Sequence, residues 1–229
     1  MSNFIVTRSF SRPRLLVGAL ALLLLAGCES TQLDHFRKST DKEHFTPKNF
    51  TGDTRLPVNL HRVILLPVYG GTIVPVETAA SLEEVFATEL QKQLRFEVVR
   101  LSREECMRRF GAPDFSSVGQ LPHDFLVALG RDYAAEAVLF VDLTSYRGYR
   151  PLVLGVRAKL ATVEQTRLLW SFDEIFSADD PGVGNSVRHY YGASDPTGVP
   201  LNAGHGGLQS PTKFAAYVAS ATFSTLPPR

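Results

Sequence analysis

The chain has 229 residues, 44% of them apolar, and carries 24 Lys and Arg against 23 Asp and Glu for a formal net charge of +1. That apolar content is enough for one hydrophobic core, and the near balance of charge excludes the basic footprint that nucleic-acid binding requires. In chain order, Met1–Arg14 contains Arg8, Arg12 and Arg14 and no acid, and Leu15–Leu25 is almost wholly Leu, Ala, Val and Gly. A basic segment followed by about 12 apolar residues has the layout of an export signal, and it falls short of the roughly 20 residues that span a hydrocarbon core.

The end of that run, Leu25-Ala26-Gly27-Cys28, resembles the lipobox of bacterial lipoproteins. The resemblance implies a signal peptide over 1–27, cleavage before Cys28, diacylglycerol on the Cys28 thiol and an acylated amino terminus. Several acyl chains exceed the two-signal threshold for stable anchoring. Residue 29 is Glu rather than Asp, which in enteric lipoproteins points to the outer membrane and its periplasmic face. The mature chain would keep 202 residues with 21 basic and 23 acidic side chains, and Cys106 would be its remaining thiol. No internal disulfide is then available, so stability has to come from the core.

Residues 28–60 mix charges and scattered Phe without a sustained period. They read as a lipidated start and a tether, about 100 Å long at full stretch. A domain over 61–229 follows. "RVILLPVY" at Arg62–Tyr69 is a short β-branched run of the kind buried on both faces. After Gly70-Gly71, Leu82, Val85, Phe86, Leu90 and Leu94 recur at helical spacing, with Ser81 and Glu84 as a capping box. "FEVVRL" at Phe96–Leu101 reads as a second strand, Ser102 with Glu105 as the cap of a short helix through Phe110, and Leu121–Ala135 as a helix with Pro122 in its first turn. Ala137–Leu143 is a third buried strand.

Leu152–Val163 and Arg167–Phe176 follow with breaks too short for crossover helices, so these strands form an antiparallel meander. Val156, Ala158 and Leu160 alternate with Arg157 and Lys159, giving one buried and one wet face. Helices are expected over Pro181–Tyr191 and Pro211–Leu226, separated by a Gly- and Pro-rich stretch. The class is α/β: a mixed β-sheet with a parallel βαβ start and an antiparallel meander, flanked by helices.

Each candidate site has an ordinary structural reading beside it. The Gly-x-Gly in "DDPGVGNSVRHYY" lacks the third glycine of a dinucleotide fingerprint, having Val187 there, and Asp180 as N-cap with Pro181 explains the segment. Cys106 sits beside Glu104 and Glu105, surroundings that disfavour a thiolate, and is read as buried and structural. His189, Asp195 and His205 match no zinc spacing. Adjacent Asp173 and Glu174 in a strand point to opposite faces and cannot share a substrate. No catalytic residue, cofactor or metal is assigned. The surface singled out is "SYRGYRP", where Tyr146, Arg147, Tyr149 and Arg150 cluster at a hairpin. Tyr and Arg are enriched at binding hot spots.

Lipobox, tether, "RVILLPVY", an amphipathic helix, "AVLFVDLTSY", "VRAKLATVEQTRLLW" and a closing helix together resemble the periplasmic lipoproteins that share the fold of the TolB amino-terminal domain, the curli-secretion lipoprotein CsgG and the penicillin-binding-protein activator LpoB. The resemblance covers about Arg62–Phe176. It implies a non-enzymatic binding or assembly component of an envelope complex, held to the bilayer through Cys28, with an envelope protein as partner and self-association within the family's range. The alternatives are a secretion-pore subunit and, lower, an enzyme on envelope polymers. Against the pore, Arg157 and Lys159 interrupt the outward face of the fourth strand, and no second long hairpin is visible.

Overall fold

The run at Arg62–Leu65 becomes strand β2, the pivot of a six-stranded mixed sheet ordered β1-β6-β5-β4-β2-β3 in a computed structural model that describes residues 43–193 and 206–229. The strands are β1 (Phe50–Gly52), β2 (Arg62–Leu65), β3 (Glu97–Arg100), β4 (Ala137–Arg147), β5 (Val153–Thr162) and β6 (Leu168–Ser177). Among the described residues the helices are α1 (Val76–Gln91), α2 (Arg103–Phe110), α3 (Phe125–Tyr133), α4 (Pro181–Ala193) and α5 (Pro211–Phe223). β2 pairs in parallel with β3 and β4, while β4, β5 and β6 form the expected antiparallel meander.

The helices divide between the two faces as the apolar pattern requires. Leu82, Phe86 and Leu90 of α1, Val183 and Val187 of α4, and Phe214, Val218 and Phe223 of α5 pack on one face against Val63, Leu139, Val156, Leu160 and Phe172. Burial of each such side chain contributes about 1.5–3 kcal/mol. On the other face, Cys106 of α2 and Phe125, Leu126 and Leu129 of α3 join Phe115 over Ile64, Val138 and Phe140. There β5 and β6 carry charge instead: Asp142, Arg157 and Asp173 lie in register across β4, β5 and β6, and Arg157 Nε donates to Asp173 Oδ2 at 2.7 Å. The face expected to be wet is only half so, because Lys159 Nζ also donates to the Ser117 carbonyl at 3.0 Å.

Three local expectations are corrected. Residues 43–60 belong to the fold rather than to the tether: β1 pairs antiparallel with β6, Phe50 opposite Phe172, and Leu56 and Leu60 are buried. A three-residue strand with no apolar alternation leaves no periodic signal. Helix α1 begins five residues ahead of Ser81, with Pro75 at the N-cap, and the Ser81 hydroxyl donates back to the Thr78 carbonyl instead of capping. Helix α3 starts at Phe125 rather than Leu121, after Asp124 takes a left-handed φ of 55°.

Parallel pairing of β2 with β4 fixes which loops share an end of the sheet. The tip between β4 and β5, the Gly70–Pro75 loop before α1, the turn between β6 and α4, and the start of β1 lie together. This is the hairpin end. The turn between β1 and β2, the C-terminus of α1 and the turn between β5 and β6 lie at the other.

Candidate functional site

The aromatic and basic cluster sits at the tip of the longest hairpin. Its ten paired positions run from Ala137 opposite Thr162 to Arg147 opposite Val153, with a register shift between Leu143 and Ser145. Gly155 permits that irregularity, since a Cβ there would lie 2.5 Å from Thr144 Oγ1 and 2.9 Å from the Ser145 nitrogen. A bulge sharpens the local twist and re-aims the strand beyond it.

The four predicted contact residues then part company. Tyr146 pairs across from Leu154 and packs against the main core, and Arg147 Nε donates to the Pro151 carbonyl inside the turn. Tyr149, 73% exposed, and Arg150 project outward. A cleft of about 400 Å³ runs beside the tip, lined by Arg150, Pro151, Ala178, Asp179, Leu208 and Gln209. Turn and cleft are joined by the Ala178 N–H, which donates to the Leu152 carbonyl at 2.8 Å.

A second feature of the hairpin end is the strap formed by Glu43–Asn49. The Phe45 N–H donates to the Gly182 carbonyl and the Ser186 hydroxyl, Asn185 Nδ2 donates to the Glu43 carbonyl, and the Lys48 and Asn49 amides donate to Glu174 Oε2. The Phe45 ring packs on Phe176 with centroids 5.2 Å apart. Glu174 is thus committed to the strap and Asp173 to Arg157, on opposite faces as their adjacency requires.

The remaining candidates resolve into structural roles. Cys106 is 0% exposed, and burial, reinforced by the Asp114 charge, pushes its thiol up to about 12, so no thiolate forms there. Asp180 Oδ1 accepts from the Gly182 and Val183 amides at 2.7 and 3.1 Å, taking the donors that a phosphate would need. His189 is exposed and meets His44 edge to face at 5.2 Å, whereas Asp195 and His205 lie outside the described residues.

A buried acid and a half-buried ion cluster escaped the sequence reading. Asp142, 3% exposed, accepts from the hydroxyls of Ser116 and Ser117 and from the Ser117 amide, at 2.9 to 3.0 Å. Burial pushes its carboxyl up, against the pull of those donors and of Arg157. The available signal was a lone acid inside "AVLFVDL". Arg103 meets Glu83, Asp114 and the Val68 carbonyl beside a cavity of about 590 Å³ at the ends of β2 and β3. It ties α1, α2 and the Gly111–Gly119 loop together, and all its partners are internal.

No family model matches the chain, and no curated protein matches it. Among solved structures it is similar to the PelC dodecamer from Paraburkholderia phytofirmans, at 16% identity over 79% of this chain and 96% of that one, with a TM-score of 0.48. It is also similar to lipoprotein GNA1162 from Neisseria meningitidis, at 16% identity over 51% of this chain and 79% of that one, with a TM-score of 0.36. The C-terminal domain of LpoB from Escherichia coli is a further neighbour, at 15% identity over 56% of this chain and 87% of that one, with a TM-score of 0.34.

Proposed function

We propose that the chain is a lipoprotein, held to the periplasmic face of the outer membrane by acylated Cys28, that acts as a non-enzymatic binding or assembly component of an envelope complex. The observation that carries this reading is the hairpin tip. A rigid paired ribbon holds Tyr149 and Arg150 outward, while Tyr146 and Arg147 support it from behind. A large rigid aromatic and a planar cation offer contact area and directed donors at modest entropy cost, as a contact surface requires. Among the described candidates, Asp180 caps α4, Glu174 holds the strap and Cys106 is buried as a thiol.

Two measurements on the exported protein test the reading. Cys28→Ser should move the chain from the membrane to the soluble periplasmic fraction, and retention without lipid would remove the anchor. The acylated protein extracted in mild detergent should be a small assembly that holds another envelope protein. A large closed ring that forms only with the lipid present would favour the pore instead.

A further inference from the structure

We infer that the Ser116–Ser117 segment is a proton-controlled latch on the sheet: it closes most firmly over Asp142 when that carboxyl is protonated and loosens as the carboxyl ionises. This goes beyond the proposed function and holds whether or not Cys28 is the anchor.

One buried side chain pins the loop. Asp142 lies in the middle of β4 at 3% exposure, and three donors converge on its Oδ2: the Ser116 and Ser117 hydroxyls at 2.9 Å each and the Ser117 N–H at 3.0 Å. The same N–H lies 3.0 Å from Oδ1. The near side of the loop is fixed without Asp142, because Phe115 packs on Phe110 and Phe125 with centroids 6.0 and 4.6 Å away and Asp114 meets Arg103. On the far side Val118 is 63% exposed, and Gly119 and Gln120 are exposed as well. The residues with room to swing are therefore those that Asp142 holds, with Lys159 on the Ser117 carbonyl as a second tie. Loosening bares Asp142 and Lys159 on the charged half of that sheet face.

The surrounding charges set the sign. Charged and titratable groups on the neighbouring elements are Arg157 and Lys159 of β5, Asp173 of β6, Tyr69 beyond β2, and Asp114 with Arg103 at the base of the loop. Among the described residues none forms an ion pair with Asp142: Arg157 Nε donates to Asp173, Lys159 Nζ to the Ser117 carbonyl, and Arg103 to Glu83, Asp114 and the Val68 carbonyl. A buried carboxylate without a paired cation favours its neutral form, and burial here pushes the carboxyl above its ordinary 3.8. An open latch returns it to water and to that ordinary value. The closed state thus binds the proton more tightly than the open one, and closure strengthens as pH falls through the window above 3.8. The partners suit both forms, because a hydroxyl rotates: Ser117 Oγ can accept from a protonated Oδ2 while the Ser117 N–H keeps Oδ1.

Hydrogen exchange of the Ser117 amide in the full chain, corrected for its intrinsic rate, reads the latch, and the Val156 amide inside β5 is the reference for the rest of the fold. Protection of Ser117 relative to Val156 should rise from about pH 8 down to about pH 4, by up to about tenfold per pH unit inside the window. Asp142→Asn keeps the shape and fixes the neutral form. It should hold Ser117 as tightly at pH 8 as the native chain does in acid, and so flatten the profile. Relative protection in the native chain that stays level or falls with acid would overturn the latch, whether or not the variant folds. A folded variant whose Ser117 amide exchanges faster than the native one at every pH would overturn it too, since the ionised carboxylate would then be the form that holds the loop.

Discussion

Glu136 lies just ahead of β4 and closes the start of β2 with one carboxylate: its Oε2 accepts from the His61 and Arg62 amides at 3.0 and 2.7 Å. Partial burial pushes that carboxyl up, but the two amide donors outweigh it and hold its pKa below the ordinary 4.5. A carboxylate depressed in the folded state stabilises above its unfolded pKa and loses that contribution as pH falls through its folded value. Glu136→Gln should therefore cost at most a few tenths of a kcal/mol at neutral pH in urea unfolding, since solvent screens this partly exposed group, with the difference shrinking towards zero once the native side chain protonates in acid. Other residue roles were legible in sequence because they depend on near neighbours. The Asp180 cap and the burial of Cys106 follow from local spacing and composition. The inward turn of Tyr146 and Arg147 was not legible, since it follows from the register shift after Leu143 and from where β5 lies.

Helix α3 reaches the sheet through a gap that glycine leaves. A Cβ on Gly130 would lie 2.7 Å from Val163 Cγ2 and 3.1 Å from the Ala135 carbonyl, with no flexible chain end to yield. Gly130→Ala should cost about 1–3 kcal/mol, and Val163→Ala in the same chain should recover part of it, which a double-mutant cycle would measure. At this scale, long periodic elements were readable and their starts were not. The pattern of α1 is carried by Leu82, Phe86 and Leu90, all buried, yet its first turn is placed by Pro75. Ser102 did cap α2 as its spacing implied, accepting from the Glu105 amide at 3.1 Å, and Gly111 ends that helix at a φ of 77°. The difference is context: Ser102 follows a strand that must end, whereas Ser81 lies inside a helix already under way.

The topology of the whole molecule was largely written in connection lengths, with long crossovers giving parallel β2, β3 and β4 and short turns giving the meander. What could not be read was the edge beyond β6, because β1 pairs across more than a hundred residues of chain. A chain beginning at Glu43 should fold as the described unit does. One beginning at His61 loses the Phe45 contact with Phe176 and the burial of Leu56 and Leu60. At about 1.5–3 kcal/mol for each buried side chain, that loss takes much of the 5–15 kcal/mol of a typical domain. The shorter chain should show a broadened, much lower thermal transition. The same edge has a mechanical consequence. β1 runs antiparallel to β6 and its N-terminal side leads out through the strap, so a pull from that side acts along the strand axis. The strap bonds of Glu43 and Phe45 to α4 meet that load ahead of the bonds that pair β1 with β6. The edge strand is in this sense a cleat, and a pull applied at Glu43 strains this edge before it strains the core.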